Sequence, residues 1–370
     1  MVNNNDPLIM IPGPTEVSEV VLKAFNKKTY THTEREFIKG YSDVLQNLGM
    51  IFGSSHEYSP FVIAGAGTLS MEIALINLID RSYNQKSLVF STGYFGERFE
   101  HLLKAYQLDY KIVNSDIGDK FSKDQIKSEI EEYQPDIAFI QHVDTSSGVA
   151  NNIEEFGIIC HDNNVFSVVD GVCSVGGQPT NQEKWKLDIC FTGAQKALSV
   201  PPGLSIAMFS PKARDFTEKR KSPIPSYYAN VSNWWPIMDA YRSGTVKYFS
   251  TPATNLIMTL KRSIDEIIAE GIDARFDRHK KLAELFRSEM KELGFEFLTK
   301  DTAYADTLTT PKYPESVDPT DFRGKILQNG VQVAGGILSG HANEYFRVGH
   351  MGTVSENDIK RTLHAIKSSL

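Results

Sequence analysis

The sequence predicts an α/β protein, in which a mostly parallel β-sheet flanked by helices is followed by a smaller C-terminal α+β domain. Short apolar runs alternate with amphipathic helical segments over residues 60–141, which is typical of parallel strands joined by helices. Several apolar runs end in glycine-rich turns, and 370 residues suffice for two domains. We therefore expect an extended N-terminal segment (1–20), a large domain (21–265) and a small C-terminal domain (266–370).

The N-terminal part should hold two helices before the sheet begins. Residues 7–15 are rich in proline and predict an extended entry, after which a helix is expected through Val20 and Ala24. Residues 34–52 carry apolar side chains at helical spacing, so they predict a second, longer helix.

The stretch Gly65-Ala-Gly-Thr68 follows a short apolar strand and opens an amphipathic helix. A glycine turn there leaves backbone N–H groups free at the positive end of a helix dipole, which suits a phosphate group. A P-loop would need a Gly-Lys-Ser/Thr that is absent, and a dinucleotide fingerprint would need glycine in place of Ser70. Plain packing of a strand against a helix is the alternative.

Two further strand ends carry candidate binding residues. Phe95 lies between glycines after the strand at residues 87–90, where its ring could lie flat against a planar ligand or else belong to the core. The strand at residues 136–141 leads into a turn dense in hydrogen-bonding side chains, residues 141–148, which could equally be a plain polar turn. Ligands of such sheets bind beyond the carboxyl ends of the strands, so both turns are candidates for one site.

An acid, Asp170, ends the next apolar strand. A carboxylate at such a place is costly unless it has a partner. A protonated pyridine nitrogen is a good partner, because the pairing makes the ring an electron sink. The alternative is an aspartate that caps the following turn.

Lys196 follows Asp170 one strand further on and has only apolar and amide neighbours, such as Ala194, Gln195 and Ala197. Loss of hydration would lower the pKa of its amine and make it nucleophilic. Such a lysine is the usual covalent carrier of pyridoxal phosphate. A surface lysine on a loop is the alternative, but the other strand-end residues favour the cofactor.

The chain after this lysine continues with a strand over residues 204–210. Residues 221–252 are rich in aromatic side chains and are expected to be irregular; long loops in compact domains are usually functional. Two long helices follow, the second ending at Gly294. Arg347 then lies on an apolar strand, where its guanidinium would bind an anion such as a substrate carboxylate or form an internal salt bridge.

Composition excludes several classes of protein. A net charge of −7 without a long basic block argues against a nucleic-acid partner. The three cysteines, Cys160, Cys173 and Cys190, lack metal-ligand spacing, so no metal is expected, and their odd number suits a reducing compartment. No run approaches transmembrane length and no secretory pattern begins the chain, so we expect no membrane association and a cytoplasmic location. Peroxisome and mitochondrion are the alternatives, although Ser368-Ser-Leu370 is a poor peroxisomal signal.

Taken together and in order, the motifs resemble one family. They are Ile11-Pro-Gly-Pro14, Gly65-Ala-Gly-Thr68, His142-Val-Asp-Thr-Ser146, Val169-Asp-Gly-Val-Cys-Ser174, Ala194-Gln-Lys-Ala197 and Phe346-Arg-Val-Gly-His-Met-Gly352. They resemble the alanine–glyoxylate and serine–pyruvate branch of the class V, fold-type I pyridoxal phosphate aminotransferases. The resemblance covers nearly the whole chain and looks closest to the fungal-type alanine–glyoxylate enzymes, through Trp235-Pro-Ile-Met238 and Val333-Ala-Gly-Gly336.

The resemblance implies roles for particular residues. Lys196 would carry the cofactor and later move the proton, Asp170 would bind the pyridine nitrogen, and Phe95 would stack on the ring. Arg347 would bind the substrate. The other implied cofactor contacts are Ala66, Gly67, Thr68 and Gln195 at the phosphate, Ser146 on the ring hydroxyl side, and Tyr248 and Thr251 at the phosphate of the neighbouring subunit.

The implied reaction is transfer of the amino group of L-alanine to glyoxylate, giving pyruvate and glycine by a ping-pong mechanism. The resemblance also implies a homodimer with shared active sites. Serine–pyruvate or serine–glyoxylate transamination is the alternative. A class V lyase such as a cysteine desulfurase is less favoured, because it would need a mobile C-terminal cysteine and no cysteine follows Cys190. One departure is that Thr33 follows His32 where the family often has arginine, so His32 receives no role.

Overall fold

The computed structural model describes residues 6–370, which form an α/β fold. The strands are β1 (Leu8–Ile9), β2 (Ser59–Ala64), β3 (Ser87–Ser91), β4 (Tyr110–Asn114), β5 (Ile137–Gln141), β6 (Phe166–Asp170), β7 (Ile189–Gly193), β8 (Leu204–Phe209), β9 (Leu308–Thr309), β10 (Val331–Gln332), β11 (Ala334–Gly335) and β12 (Phe346–Gly349). The helices are α1 (Glu19–Phe25), α2 (Arg35–Phe52), α3 (Gly67–Leu78), α4 (Tyr94–Ala105), α5 (Lys123–Tyr133), α6 (Ile153–Asp162), α7 (Pro211–Lys219), α8 (Val231–Arg242), α9 (Thr254–Glu270), α10 (Ile272–Glu292), α11 (Pro319–Gln328) and α12 (Glu356–Lys367).

The central sheet has seven strands in the order β2-β8-β7-β6-β5-β3-β4. Strands β3 to β7 pair in parallel with one another, whereas β8 is antiparallel to both of its neighbours, β7 and β2. Most central strands are buried along their whole length, because helices cover both faces of the sheet. The prediction of a mostly parallel sheet flanked by helices is confirmed.

The strand order reverses between β3 and β5. The chain passes from β3 outward to β4, then returns to β5 on the other side of β3 and continues to β6 and β7. Parallel sheets bind ligands in the crevice at the carboxyl ends of the strands where the order reverses. The first turn of α4, which follows β3, carries Phe95, the turn after β5 carries Ser146, and β6 ends in Asp170.

Two apolar clusters fill most of the interior. The larger one packs helices against the central sheet, around buried side chains such as Phe90 and Phe139. The smaller one combines α10, α11 and α12 with Leu8 and Met10 from the N-terminus, and β1 pairs in parallel with β10. The N-terminal segment is therefore attached to the C-terminal part of the chain. The domain boundary after residue 265 stays a prediction.

The expectation that residues 221–252 are irregular is wrong for their middle part, which forms α8. Asn230 caps this helix, because its side chain accepts a hydrogen bond from the backbone N–H of Ser232 at 3.0 Å. The residues that α8 buries follow helical spacing, and Trp235 donates from its indole to Thr217 Oγ1 at 3.0 Å. An internal proline, Pro236, obscures this pattern in the sequence.

No helix within residues 6–370 is long and apolar enough to cross a bilayer. The same residues contain no cluster of three or more histidine, cysteine, aspartate or glutamate side chains placed to hold a metal ion.

Gly157 in α6 offers a test of how tightly the helices pack on the sheet. A Cβ atom at this position would lie 2.0 Å from the carbonyl oxygen of Trp185, and a backbone atom cannot move aside cheaply. We expect Gly157→Ala to lower the free energy of unfolding by about 2 kcal/mol or more. Gly324→Ala in α11 is the matched control, since nothing lies within 4 Å of its Cβ position. The free energy of unfolding of the control should rise by about 0.5–1 kcal/mol, because alanine has a higher helix propensity than glycine. Equal denaturation midpoints for the two variants would contradict this packing.

Candidate active site

The turn after β7 buries Lys196 beneath the N-terminal segment. The side chain is 8% exposed, and its Nζ donates a hydrogen bond to the carbonyl of Pro12. Thr15 holds the same turn from the other side, because its Oγ1 donates to the Lys196 carbonyl at 2.8 Å. Gly13 has a φ of +116°, which favours glycine, and a Cβ there would lie 2.5 Å from Lys196 Cδ and displace the lysine side chain. The lysine is buried rather than on a surface loop.

The surroundings of Lys196 favour its neutral amine. Burial lowers the pKa of Lys196, and the nearby guanidinium of Arg347 lowers it further. Cys173 and Asp170 act in the opposite direction but do not offset the loss of hydration. These influences also show that Lys196, Asp170, Cys173 and Arg347 lie within electrostatic reach of one another.

Asp170 lies at the end of β6 with one of its carboxylate oxygens free of protein partners. Its Oδ1 accepts from the backbone N–H of Val172 at 2.9 Å, and within residues 6–370 this is the only hydrogen bond to the carboxylate. Burial raises the pKa of Asp170 to about 7, although the bond from Val172 opposes the rise. The charge of Asp144 raises the pKa further. A cationic N–H group would satisfy the free oxygen and stabilise the ionised form.

Helix α3 begins at Gly67 with an open N-terminus. Its cap residue, Ala66, has no side chain that could accept a hydrogen bond from the first turn. A Cβ at Gly67 would lie 2.8 Å from Val172 Cγ2, so glycine allows this turn to approach the turn after β6. Gln195, next to the lysine, has a buried side-chain oxygen without a partner in the described chain. An anion at the α3 N-terminus would meet free backbone donors.

Phe95 lies in the first turn of α4, and a cation stacks on its ring. The Arg98 guanidinium carbon lies 4.7 Å from the ring centroid of Phe95, while its Nη1 donates to Thr68 Oγ1 at 2.8 Å. Arg98 therefore joins α4 to the N-terminus of α3. The sequence does not distinguish Arg98, because nothing in a helical arginine three residues after Phe95 indicates this contact.

The hydroxyl of Ser146 has local partners on both sides. Ser146 Oγ donates to Asp144 Oδ1 at 2.5 Å and accepts from the backbone N–H of Tyr94 at 2.9 Å. Asp144 also accepts from the backbone N–H groups of Phe95 at 3.0 Å and Gly96 at 3.3 Å. Sequence reasoning identified this turn as rich in hydrogen-bonding side chains but missed Asp144 as its centre.

Arg347 on β12 is buried without an acidic partner. Its side chain donates to two carbonyl oxygens, those of Gly335 at 2.8 Å and Thr145 at 3.3 Å. It forms no salt bridge with any carboxylate in the part of the chain that the structure describes, so the internal ion pair considered from the sequence is absent there. Arg347 is 9% exposed, and a buried guanidinium with only neutral acceptors suits a ligand carboxylate.

Tyr248 and Thr251 lie apart from these groups. Tyr248 is 63% exposed, and its hydroxyl lies 3.2 Å from Thr251 Oγ1. Its ring centroid lies 5.4 Å from that of His32. Within residues 6–370, no hydrogen bond joins either residue to Lys196 or Asp170, so the single chain does not bring them into the site.

The fold and these strand-end side chains are those of an α/β enzyme that holds an anionic, aromatic cofactor. Comparison with known proteins identifies the family: the model named Aminotransferase class-V matches residues 14–359. The chain belongs to the class V aminotransferases and is an aminotransferase. It is 34% identical to an uncharacterized aminotransferase of Methanocaldococcus jannaschii, over 98% of this chain and 92% of that protein. It is 32% identical to alanine–glyoxylate aminotransferase 1 of Saccharomyces cerevisiae, over 94% of this chain and 93% of that protein.

Solved structures share the fold over nearly the whole chain. An alanine–glyoxylate aminotransferase from Nostoc sp. superposes with a TM-score of 0.93 at 24% identity, covering 98% of this chain and 95% of that one. Ureidoglycine–glyoxylate aminotransferase from Bacillus subtilis gives a TM-score of 0.91 at 24% identity, covering 98% of this chain and 92% of that one. At these identities the structures establish the fold.

Class V aminotransferases are pyridoxal phosphate enzymes, and pyridoxal 5'-phosphate is the cofactor of this family member. The residues of the crevice fit it. Lys196 is a buried amine of lowered pKa, Asp170 has a carboxylate oxygen without a partner in the described chain, and α3 has no side-chain cap at its N-terminus. An aldehyde, a pyridinium nitrogen and a phosphate are the groups that these three features would accept.

Asp170 should make the cofactor-free protein less stable as the pH rises. Its pKa is about 7 in the folded protein and about 3.9 in an unfolded chain, so folding retains a proton that unfolding releases between these values. Stability from this group is therefore present below about pH 4 and lost as the pH rises through about 7. The free energy of unfolding of Asp170→Asn should exceed that of the wild type by roughly 2–4 kcal/mol at about pH 8, and the two should differ little at about pH 4. Urea unfolding of both cofactor-free proteins measures this; the same pH dependence in both would contradict it.

Proposed function

We propose that the protein is an alanine–glyoxylate transaminase, which moves the amino group of L-alanine to glyoxylate and gives pyruvate and glycine. The observation that carries the proposal is a buried amine of lowered pKa, Lys196, near a buried guanidinium, Arg347, that has no acidic partner within residues 6–370. Similarity to alanine–glyoxylate aminotransferases of yeast (32%) and Drosophila melanogaster (30%), over most of the chain, supports this choice of substrates.

The proposed catalytic work divides among three residues. Pyridoxal phosphate, when bound, supplies an electron-withdrawing ring that stabilises negative charge at the substrate α-carbon. Lys196 Nζ takes the proton from the α-carbon of alanine and, in the second half-reaction, delivers a proton to the α-carbon of the nascent glycine. Asp170 holds a positive charge on the pyridine nitrogen, and Arg347 binds the carboxylate of each substrate in turn.

An apolar cluster of mixed side-chain size packs beside the lysine. It contains Val143, Cys173 and Ala197, of which Ala197 directly follows Lys196 in the chain, and it also includes Leu308 and Met351. Cys173 lies close enough to influence the pKa of Lys196. The choice of alanine and glyoxylate therefore rests on the similarity to alanine–glyoxylate aminotransferases.

Two alternatives remain from the sequence. Serine–pyruvate or serine–glyoxylate transamination needs only room for one more hydroxyl group, so the donor must be measured. A class V lyase that uses a cysteine nucleophile is disfavoured, because Cys160, Cys173 and Cys190 are all buried and none lies in the C-terminal part. The cytoplasmic location expected from the sequence stays a prediction.

The absorption spectrum of the purified protein tests the proposal directly. We expect a visible band of the bound cofactor that disappears when L-alanine is added and returns when glyoxylate is added. A band that is unchanged by alanine but disappears with serine would show that serine is the amino donor, and the cofactor assignment would stand. Absence of any band after the cofactor is supplied would overturn the site itself.

Lys196→Ala should lower turnover by about 10³-fold or more, because no other buried amine is assigned to move the proton. The matched control is Lys219→Ala, whose side chain is 75% exposed in α7 and should leave the rate unchanged. Steady-state assays with alanine and glyoxylate measure both variants. Wild-type turnover by the Lys196→Ala protein would contradict the proposed function.

We also propose a homodimer whose active sites are shared, with Tyr248 and Thr251 of one subunit reaching the cofactor phosphate bound by the other. The support is their placement: both are exposed, they contact each other, and neither joins the site of its own chain. An exposed tyrosine on an open segment is available to a second copy of the chain.

Subunit mixing tests this arrangement. A Lys196→Ala protein and a Tyr248→Ala/Thr251→Ala protein should each have little activity alone. If sites are shared, a mixed dimer has one site with both defects and one site with neither, so random mixing should restore about one quarter of wild-type activity. No gain after mixing, in a sample where mass spectrometry shows mixed dimers, would mean that each site is built from one chain.

A further inference from the structure

One fully buried carboxylate beneath the crevice has no role in the proposed reaction. Asp144 is 0% exposed and lies in the turn after β5. Within residues 6–370 its carboxylate accepts four hydrogen bonds, all from neutral donors: the backbone N–H groups of Phe95, Gly96 and Ser146, and the hydroxyl of Ser146. A buried acid without a cationic partner is costly, so its retention at this place needs a compensating interaction.

The compensating interaction is the N-terminus of α4. The cap residue of this helix, Gly93, has no side chain that could accept from the first turn. Asp144 Oδ2 takes that place, because it accepts from Phe95 N at 3.0 Å and Gly96 N at 3.3 Å. A carboxylate at a helix N-terminus is stabilised by the helix dipole as well as by these bonds. Since Phe95 itself donates one of them, its backbone is fixed relative to β5.

Two helix N-termini thus face the same crevice but differ in what they can bind. The first turn of α3 is uncapped, whereas that of α4 is closed by the charge of Asp144. Arg98 in α4 bridges to Thr68 in α3, so the two first turns are neighbours. A phosphate group would be attracted by the open turn and repelled from the closed one.

We infer that Asp144 is a positioning residue for the cofactor: it fixes the first turn of α4 so that Phe95 faces the ring, and it directs the phosphate to α3. This inference rests on the proposed function, because it takes Phe95 and α3 as the contacts of the ring and the phosphate. Asp144 also lies within electrostatic reach of Asp170, Lys196 and Arg347, so its charge acts on the reacting groups as well.

The test compares Asp144→Asn with a second buried carboxylate. Asp188 is 6% exposed and accepts from Ser167 N at 3.1 Å and Ser210 Oγ at 2.9 Å, but it lies at the start of β7, the opposite end of the sheet from the site. Asp188→Asn therefore controls for loss of a buried, hydrogen-bonded charge. Both proteins are prepared with and without pyridoxal phosphate.

We expect Asp144→Asn to raise the dissociation constant of pyridoxal phosphate by about ten-fold or more and to weaken the visible circular dichroism of the bound cofactor. In the cofactor-free protein, backbone amides at residues 95–96 should exchange hydrogen about ten-fold faster. Asp188→Asn should leave the dissociation constant, the dichroism and this exchange unchanged. If Asp144→Asn does not fold, Asp144→Ser, which retains one hydroxyl acceptor, should show the same losses.

The outcomes separate this inference from the proposed function. If wild-type protein binds the cofactor with a dichroic band and the folded Asp144 variant matches Asp188→Asn in all three measurements, Asp144 does not position the cofactor. If the wild type binds no pyridoxal phosphate, the proposed function fails first, whatever the variants do.

Discussion

The site depends on a buried amine, Lys196, that forms no salt bridge with any carboxylate of residues 6–370. The hydrogen bond of Lys196 Nζ goes to the Pro12 carbonyl, and burial together with Arg347 keeps its pKa low. A charged ammonium, with three N–H donors and a full charge, loses more by burial in such surroundings than the neutral amine does. The need to keep the Lys196 amine in this position explains the tight contact with Gly13, since a larger residue there would displace the lysine side chain.

The other groups at the crevice are likewise incompletely satisfied by the protein alone. Asp170 keeps a free oxygen, the first turn of α3 has no cap, and Arg347 donates only to carbonyl oxygens. Each of these costs folding free energy in the absence of ligands. A cationic ring nitrogen, a phosphate and a carboxylate would relieve all three, so binding should stabilise the fold as well as prepare the reaction.

The sequence was enough to predict the parallel sheet and the residues at strand ends, because each signal is local. Lys196 and Asp170 stand out as polar residues in apolar runs, and both prove to be buried. Asp144 could not be found in this way, since its partners Phe95 and Gly96 lie about fifty positions earlier and meet it only where β3 and β5 become neighbours. Helix α8 had a helical pattern of buried residues, but an aromatic-rich stretch containing Pro236 reads as a loop.

The N-terminal segment connects the two halves of the site. Met10 accepts from Gly349 N at 2.8 Å at the end of β12, and five residues later Thr15 holds the carbonyl of Lys196. The strand that carries Arg347 and the turn that carries Lys196 are thus held by one short stretch of extended chain, stiffened by prolines. Because a substrate must meet the guanidinium and the amine at once, the spacing between them decides whether its α-carbon lies within reach of the base. Residues 10–15 therefore belong to the active site although only one of their atoms, the Pro12 carbonyl oxygen, accepts a bond from the Lys196 amine.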